Sequence, residues 1–150
     1  MDGPLNTVRN TLGKIPYVGD FIKPSDSGEI TAIEDTIEGR FIKNPNTGVL
    51  FVITGKVKNK YSDARDFVEV RGNLYTKNKA TVKQANAYCG NILSDEELSS
   101  LDPDTIKKRL SNPKIKVSAG KLMPFMVVFY DLPNNLDEFT VEILGSKPQG

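Results

Sequence analysis

The 150-residue sequence contains no histidine and no tryptophan, and its only cysteine is Cys89. Histidine is the commonest general base and a principal zinc ligand. A lone cysteine can form neither an intrachain disulfide nor, without histidine, a zinc site of ordinary composition. Histidine-dependent catalysis and a zinc site of ordinary composition are therefore excluded within this chain. We expect a non-enzymatic domain with no catalytic residue, no bound metal and no cofactor.

Long hydrophobic runs and an excess of one charge are also missing. The longest nearly apolar run, residues 122–130, is interrupted by Pro124, and a transmembrane helix takes about 20 apolar residues. Lysine and arginine total 20 against 19 acidic residues, which leaves a formal net charge of +1. Such a chain has no overall field to recruit nucleic acid or an acidic membrane. We expect a soluble fragment with no nucleic-acid partner.

The chain divides into a lead-in segment (residues 1–27), one domain (residues 28–146) and a short tail (residues 147–150). Apolar residues recur at helical spacing near the start, which predicts a short helix there. Its stripe consists of Leu5, Val8, Leu12 and Ile15. This helix either packs on its own domain or lies on a membrane or a partner, and its few cations favour the first alternative.

A period of two begins near residue 29 and predicts strands. Residues 30–43 read as one bulged strand or two short ones, because Gly39 lies in the middle. Further strands are expected at residues 49–59, 67–76, 80–89, 121–130 and 139–144. Residues 121–130 are apolar on both faces, which predicts a central strand. Gly55 interrupts the inward row of its strand, which predicts close approach of another strand or a large ring.

Helix signals occur once, between the fourth and fifth of these strands. Ser94 and Glu97 form a capping box, and Asp102 followed by Pro103 starts a second helix. Since helices do not alternate with strands, crossover units are absent. The fold class is therefore mostly β, an immunoglobulin-like β-sandwich of six to eight strands with a short helical insertion near residues 94–110.

Six residues are candidates for binding. They are Lys56, Lys58, Tyr61, Arg65, Cys89 and Asn91. Alternating lysines followed by an arginine would dock a phosphate or carboxylate if they converge, although a solvated sheet face has the same pattern. A buried thiol packs as a small apolar side chain, and turn geometry explains the asparagine as well as binding does.

Three segments taken together resemble a bacterial family of unknown function. They are residues 48–59 (GVLFVITGKVKN), residues 88–98 (YCGNILSDEEL), and residues 120–129 (GKLMPFMVVF) leading to residues 138–142 (EFTVE). In that family an N-terminal zinc ribbon and a single transmembrane helix precede a sandwich-like domain outside the cytoplasm. The resemblance spans roughly residues 28–146 and assigns no catalytic residue.

The resemblance implies a membrane-anchored bacterial protein whose domain lies on the periplasmic side of the inner membrane. The zinc ribbon and the anchor would precede this chain, so the domain would meet the membrane only through them. We expect an extracytoplasmic binding or scaffolding domain with an envelope protein or ligand as partner. The alternative is a small-ligand-binding or hydrolytic domain that uses acids, tyrosines or Cys89 in a cleft.

Overall fold

The computed structural model describes residues 30–78 and 80–148. They contain six antiparallel strands and two short helices. The strands are β1 (Ile30–Asn44), β2 (Gly48–Asn59), β3 (Arg65–Thr76), β4 (Thr81–Tyr88), β5 (Leu122–Phe129) and β6 (Leu136–Pro148). Helices α1 (Asp95–Ser100) and α2 (Pro103–Arg109) lie between β4 and β5 in the chain. The predicted lead-in segment, residues 1–27, lies outside the described residues.

The strands form two sheets of three, in the orders β1-β2-β5 and β4-β3-β6. The predicted β-sandwich with one helical insertion is confirmed. Strand β6 continues through Lys147 and Pro148, two residues beyond the predicted end of the domain. No helix in the described part of the chain is long and apolar enough to cross a membrane.

The core lies between the two sheets because alternate residues of each strand point inward. Phe51, Ile53 and Val57 of β2 are completely buried, as the sequence pattern predicts. Phe139 of β6, in the other sheet, has its ring centroid 5.4 Å from that of Phe51. This aromatic contact joins the two sheets at the centre of the molecule.

Strand β1 is a single bulged strand, one of the two predicted forms. Its register against β2 shifts between Ile33 and Glu38. Thr36 holds the bulge, because its hydroxyl donates to the Ile33 carbonyl oxygen at 2.6 Å and accepts from the Lys56 amide at 2.9 Å. The prediction that Gly39 causes the bulge was wrong, because Gly39 lies beyond the bulge and is paired with Ile53.

Both helices begin as the sequence predicts. The Ser94 hydroxyl accepts from the Glu97 amide at 3.1 Å, and the Glu97 carboxylate accepts from the Ser94 amide at 2.9 Å. Asp102 caps α2 through the Thr105 amide, 3.3 Å away. These bonds occupy amides that the first turn of a helix leaves without a helical partner.

Strand β5 is an edge strand, so its predicted central position is wrong. Among the described residues it pairs only with β2. Phe125, Val127 and Phe129 are buried, and Phe129 contacts Gly72 of the opposite sheet. On its other face, Val128 lines a groove shared with helix α2. The second apolar face of β5 therefore borders the groove next to α2, and no second strand pairs with β5 in the described part of the chain.

Candidate functional site

A concavity lies between β4 and β5, the edge strands of opposite sheets. The two strands meet where the Gly90 amide donates to the Pro124 carbonyl oxygen at 2.8 Å. Towards the other end, the Lys83 ammonium nitrogen lies 5.3 Å from the ring centroid of Tyr130. Between these points is a groove of about 500 Å³, with α2 along one side. We call it the β4–β5 groove.

Its walls combine apolar and polar side chains. The apolar part includes Leu50, Ala85, Ala87, Ile106, Leu110, Val128 and Phe129. The polar part includes Glu69, Lys83, Gln84, Asn86, Tyr88, Lys107 and Tyr130. Ala85 is half-buried and leaves space along β4 that a larger side chain would fill. A concave site with an apolar lining and a few polar groups is typical of ligand recognition.

The main chain of β4 contributes to the groove as well. Cys89, just beyond the strand, donates its amide to the Val68 carbonyl oxygen of β3 at 2.8 Å, whereas the Tyr88 amide points away from β3 and donates to the Leu110 carbonyl oxygen at 3.1 Å. Because main-chain groups alternate in direction along a strand, Gln84 and Asn86 also direct theirs away from β3. An edge of this kind is a template for pairing with another strand.

The same alternation applies to β5. Lys121 directs its carbonyl to the Asn59 amide of β2, and Pro124 directs its carbonyl to Gly90. Met126 and Val128 therefore direct their main-chain groups away from β2. Both long sides of the groove are bordered by main-chain donors and acceptors that face outward from their own sheets.

The charged side chains of the groove are predominantly basic. Lys83 and Lys107 line it, and Glu69 is the acidic residue of the lining. The Glu69 carboxylate accepts from the Asn86 side-chain amide at 3.0 Å, and the Asn86 side-chain oxygen accepts from Arg71 at 3.2 Å. Asn86 thus links Glu69 to Arg71. Among the described lining residues, two lysines face one carboxylate, and this balance favours a negatively charged ligand.

A cluster of aromatic and basic side chains adjoins the Tyr88 end of the groove. The Tyr88 ring meets that of Phe67 edge to face, with centroids 6.2 Å apart. The ammonium groups of Lys114 and Lys147 lie 5.1 Å and 4.8 Å from the Phe67 centroid. We call Phe67, Lys114 and Lys147 the Phe67 cluster.

Two of the six predicted candidates, Tyr61 and Arg65, are in contact. The Arg65 guanidinium carbon lies 3.6 Å from the Tyr61 ring centroid. Its side chain is only 12% exposed and lies 3.9 Å from the Asp63 carboxylate, while its Nε donates to the Ser146 hydroxyl at 3.2 Å. With these contacts Arg65 fastens the start of β3 to the neighbouring loop and to β6.

Lys56 and Lys58 do not join that pair. Both lie on β2, in the sheet opposite to Arg65 on β3. Lys56 is exposed and Lys58 is half-buried.

Cys89 and Asn91 are both buried in the described structure. Burial raises the pKa of the Cys89 thiol to about 12, so its reactive thiolate is scarce at neutral pH. The Asn91 side-chain amide donates to the carbonyl oxygens of Tyr88, Leu110 and Asn112 at 2.9, 3.3 and 3.0 Å. Asn91 thus ties the end of β4 to the chain that follows α2.

Sequence reasoning missed most of the groove. None of the six candidates for binding is among the residues that line it. The one local signal is the alternation of small and polar residues over residues 84–87 (QANA). An edge strand with alanines facing a helix has that pattern, but so does any weakly packed strand.

Across residues 30–78 and 80–148, no group of three or more histidine, cysteine or acidic side chains is arranged to hold a metal ion. Comparison of the chain with protein-family models, with curated proteins and with solved structures gives no match.

Proposed function

We propose that this domain is a recognition module that acts by binding, and that its partner contributes an extended polypeptide segment to the β4–β5 groove. The observation that carries the proposal is the position of the groove between two sheet edges whose main-chain groups point outward. An extended peptide can pair with such an edge while neighbouring pockets select its side chains.

The size of the groove supports this proposal. Its volume of about 500 Å³ is within the usual range for ligand pockets. The lining part of β4 runs from Lys83 to Tyr88, which at roughly 3.3 Å per residue is about 20 Å of strand edge. A peptide of four to six residues, some of them apolar, would occupy about this length.

The setting of the domain is part of the same proposal. The family resemblance supports a domain anchored to the bacterial inner membrane and exposed on its outer side, with an envelope protein as the partner. Protease treatment of intact spheroplasts that express the full reading frame tests this setting. Cleavage of this domain by external protease is expected, and protection until the cells are lysed would contradict it.

Binding is tested by selecting a displayed random heptapeptide library on the immobilised full chain. Selected peptides are then measured against Ala85→Phe, which fills the groove, and against Ala119→Phe, which adds the same ring at an exposed position outside it. We expect Ala85→Phe to abolish binding and Ala119→Phe to retain it. Thermal unfolding of both variants establishes that they are folded.

Pairing to the strand edge has its own test at Gln84. Proline there removes the outward N–H, and such a position on an edge strand tolerates proline. Gln84→Ala removes the side chain alone, including its 2.8 Å bond to the Asn73 oxygen. We expect Gln84→Pro to weaken peptide binding well beyond Gln84→Ala. Equal affinities would show that the peptide does not pair with β4, and selection of no peptide at all would refute the proposed function.

A further inference from the structure

We propose that the partner segment is acidic and that its carboxylates bind Lys114 and Lys147 beside Phe67, just beyond the Tyr88 end of the β4–β5 groove. This inference rests on the proposed function and specifies the chemistry of the partner. It assigns a binding role to three residues that lie far apart in the sequence.

Both ammonium groups lie close to the same aromatic ring. They lie 5.1 Å and 4.8 Å from one ring centroid. The nitrogens are therefore at most about 10 Å apart, a distance at which like charges still repel. In the described part of the chain, neither nitrogen is within 4.0 Å of a carboxylate oxygen. A partner carboxylate near both would relieve this repulsion and gain charge-assisted hydrogen bonds.

The backbone brings these lysines together through an unusual conformation at Phe67. Its φ angle is +54°, a region that bulky side chains rarely adopt. The register of β3 against β6 shifts between Asp66 and Glu69, and the Phe67 amide leaves the ladder to donate to the Pro113 carbonyl oxygen at 2.9 Å. Lys114 thus approaches from the loop after α2, and Lys147 approaches from β6.

Costly backbone conformations concentrate at functional sites. The bulge holds the Phe67 ring near two exposed lysines, Lys114 and Lys147. This arrangement keeps the ammonium groups close to an aromatic face, where cations are stabilised without losing their charge. The two ammonium groups are therefore already positioned to bind an anionic group in the absence of a ligand.

The Phe67 cluster adjoins the β4–β5 groove, and this position indicates the class of partner. Tyr88 lines the groove and its ring centroid is 6.2 Å from that of Phe67. At roughly 3.3 Å per residue, an extended chain covers this distance with two residues. Lys83 and Lys107 add positive charge within the groove. Only a polypeptide offers main-chain pairing to β4 together with carboxylates at this spacing.

The test uses the displayed heptapeptide library on the full chain. We expect selected peptides to carry two or more acidic residues next to an apolar stretch. Lys114→Gln combined with Lys147→Gln is expected to weaken their binding by about tenfold or more. The matched control is Lys43→Gln combined with Lys121→Gln, which removes the same charge at exposed positions away from the groove. The control is expected to retain wild-type affinity.

The outcomes separate the two proposals. Selected peptides that lack acidic residues, fail to bind Ala85→Phe and bind the Lys114/Lys147 variant normally would overturn this inference and leave the groove function intact. Peptides that bind Ala85→Phe as well as the wild type, or no selected peptides, would overturn the groove function itself. Vesicles containing phosphatidylserine provide a further arm. Vesicle binding that requires Lys114 and Lys147, without acidic peptide selection, would assign the cluster to a lipid surface and refute an acidic segment.

Discussion

Gly39 of β1 lies directly against the buried ring of Phe51, where no side chain fits. A Cβ atom at position 39 would overlap Cζ of Phe51 and would lie 2.9 Å from its Cε1 and 3.1 Å from Cε1 of Phe139. These rings join the two sheets and cannot withdraw without opening the core. We expect Gly39→Ala to lower the free energy of unfolding by about 1–3 kcal/mol, as overpacking does in well-packed cores. Urea unfolding measures the change.

Gly145 of β6 provides the control for that substitution. A Cβ atom there has no heavy atom within 4 Å. Gly145→Ala is expected to be neutral or slightly stabilising, because alanine restricts the unfolded chain. Equal losses at positions 39 and 145 would show that the ring contact with Phe51 is not the cause.

Asn91 gives a prediction that separates folding from binding. Truncation to alanine removes the side-chain donor from three carbonyl oxygens. The Leu110 oxygen keeps its bond from the Tyr88 amide, whereas the Asn91 bonds to the Tyr88 and Asn112 oxygens are lost. We expect Asn91→Ala to lower the free energy of unfolding by about 2–4 kcal/mol. Asn91→Asp is expected to be at least as damaging, because a carboxylate cannot donate.

Asn134 is an exposed asparagine suited as the control, and Asn134→Ala is expected to change stability by less than about 0.5 kcal/mol. If Asn91 is purely structural, folded Asn91→Ala binds selected peptides with wild-type affinity at low temperature. Lost affinity with unchanged stability would instead make Asn91 a ligand contact.

The Cys89 thiol is predicted to be unreactive in the folded protein. Its side chain is 2% exposed, and burial raises its pKa to about 12. Reaction with a thiol reagent such as Ellman's reagent at pH 8 is expected to be slow in buffer and rapid in denaturing urea. A reaction in buffer as fast as that of free cysteine would restore the hypothesis of a reactive cysteine in a cleft.

The sequence predicts the parts of this fold whose signals are local. The alternation of Phe51, Ile53 and Val57, and the capping box at Ser94 and Glu97, each depend on neighbours within a few residues. The prediction that a large ring lies close to Gly55 is also confirmed. The ring is that of Phe125, whose Cζ would lie 2.8 Å from a Cβ atom at position 55.

The parts that sequence reasoning missed depend on which elements meet. Apolar residues on both faces of β5 are compatible with a central strand or with an edge strand covered by a helix, and the sequence does not choose between them. The Phe67 cluster joins residues 67, 114 and 147 through a bulge and a left-handed backbone conformation. No spacing rule connects these positions, so a prediction from one sequence could not find them.

Stability is predicted to be nearly constant from pH 5.5 to 8 and to fall in acid, because the chain has no histidine and its stabilised carboxylates are at the helix starts. A hydrogen bond from Arg40 lowers the pKa of Asp95. The Ser94 amide and then Arg109 lower the pKa of Glu97, and the Thr105 hydroxyl lowers that of Asp102. The pKa of each carboxyl is therefore lower in the folded protein than in the unfolded chain. The stability that these groups contribute is complete above their ordinary pKa values of 3.8 to 4.5. It is lost as the pH falls through the lowered pKa values of the folded protein.

Thermal unfolding between pH 8 and pH 2.5 checks this prediction with the triple variant Asp95→Asn, Glu97→Gln, Asp102→Asn. The variant is expected to be less stable than the wild type at neutral pH, and the difference is expected to shrink as the pH falls below about 4, because the wild-type carboxylates become protonated. The matched control, Glu34→Gln with Asp35→Asn and Asp131→Asn, removes the same charge at exposed positions. A difference from the wild type that stays constant down to pH 2.5 would show that the three helix carboxylates do not cause the acid sensitivity.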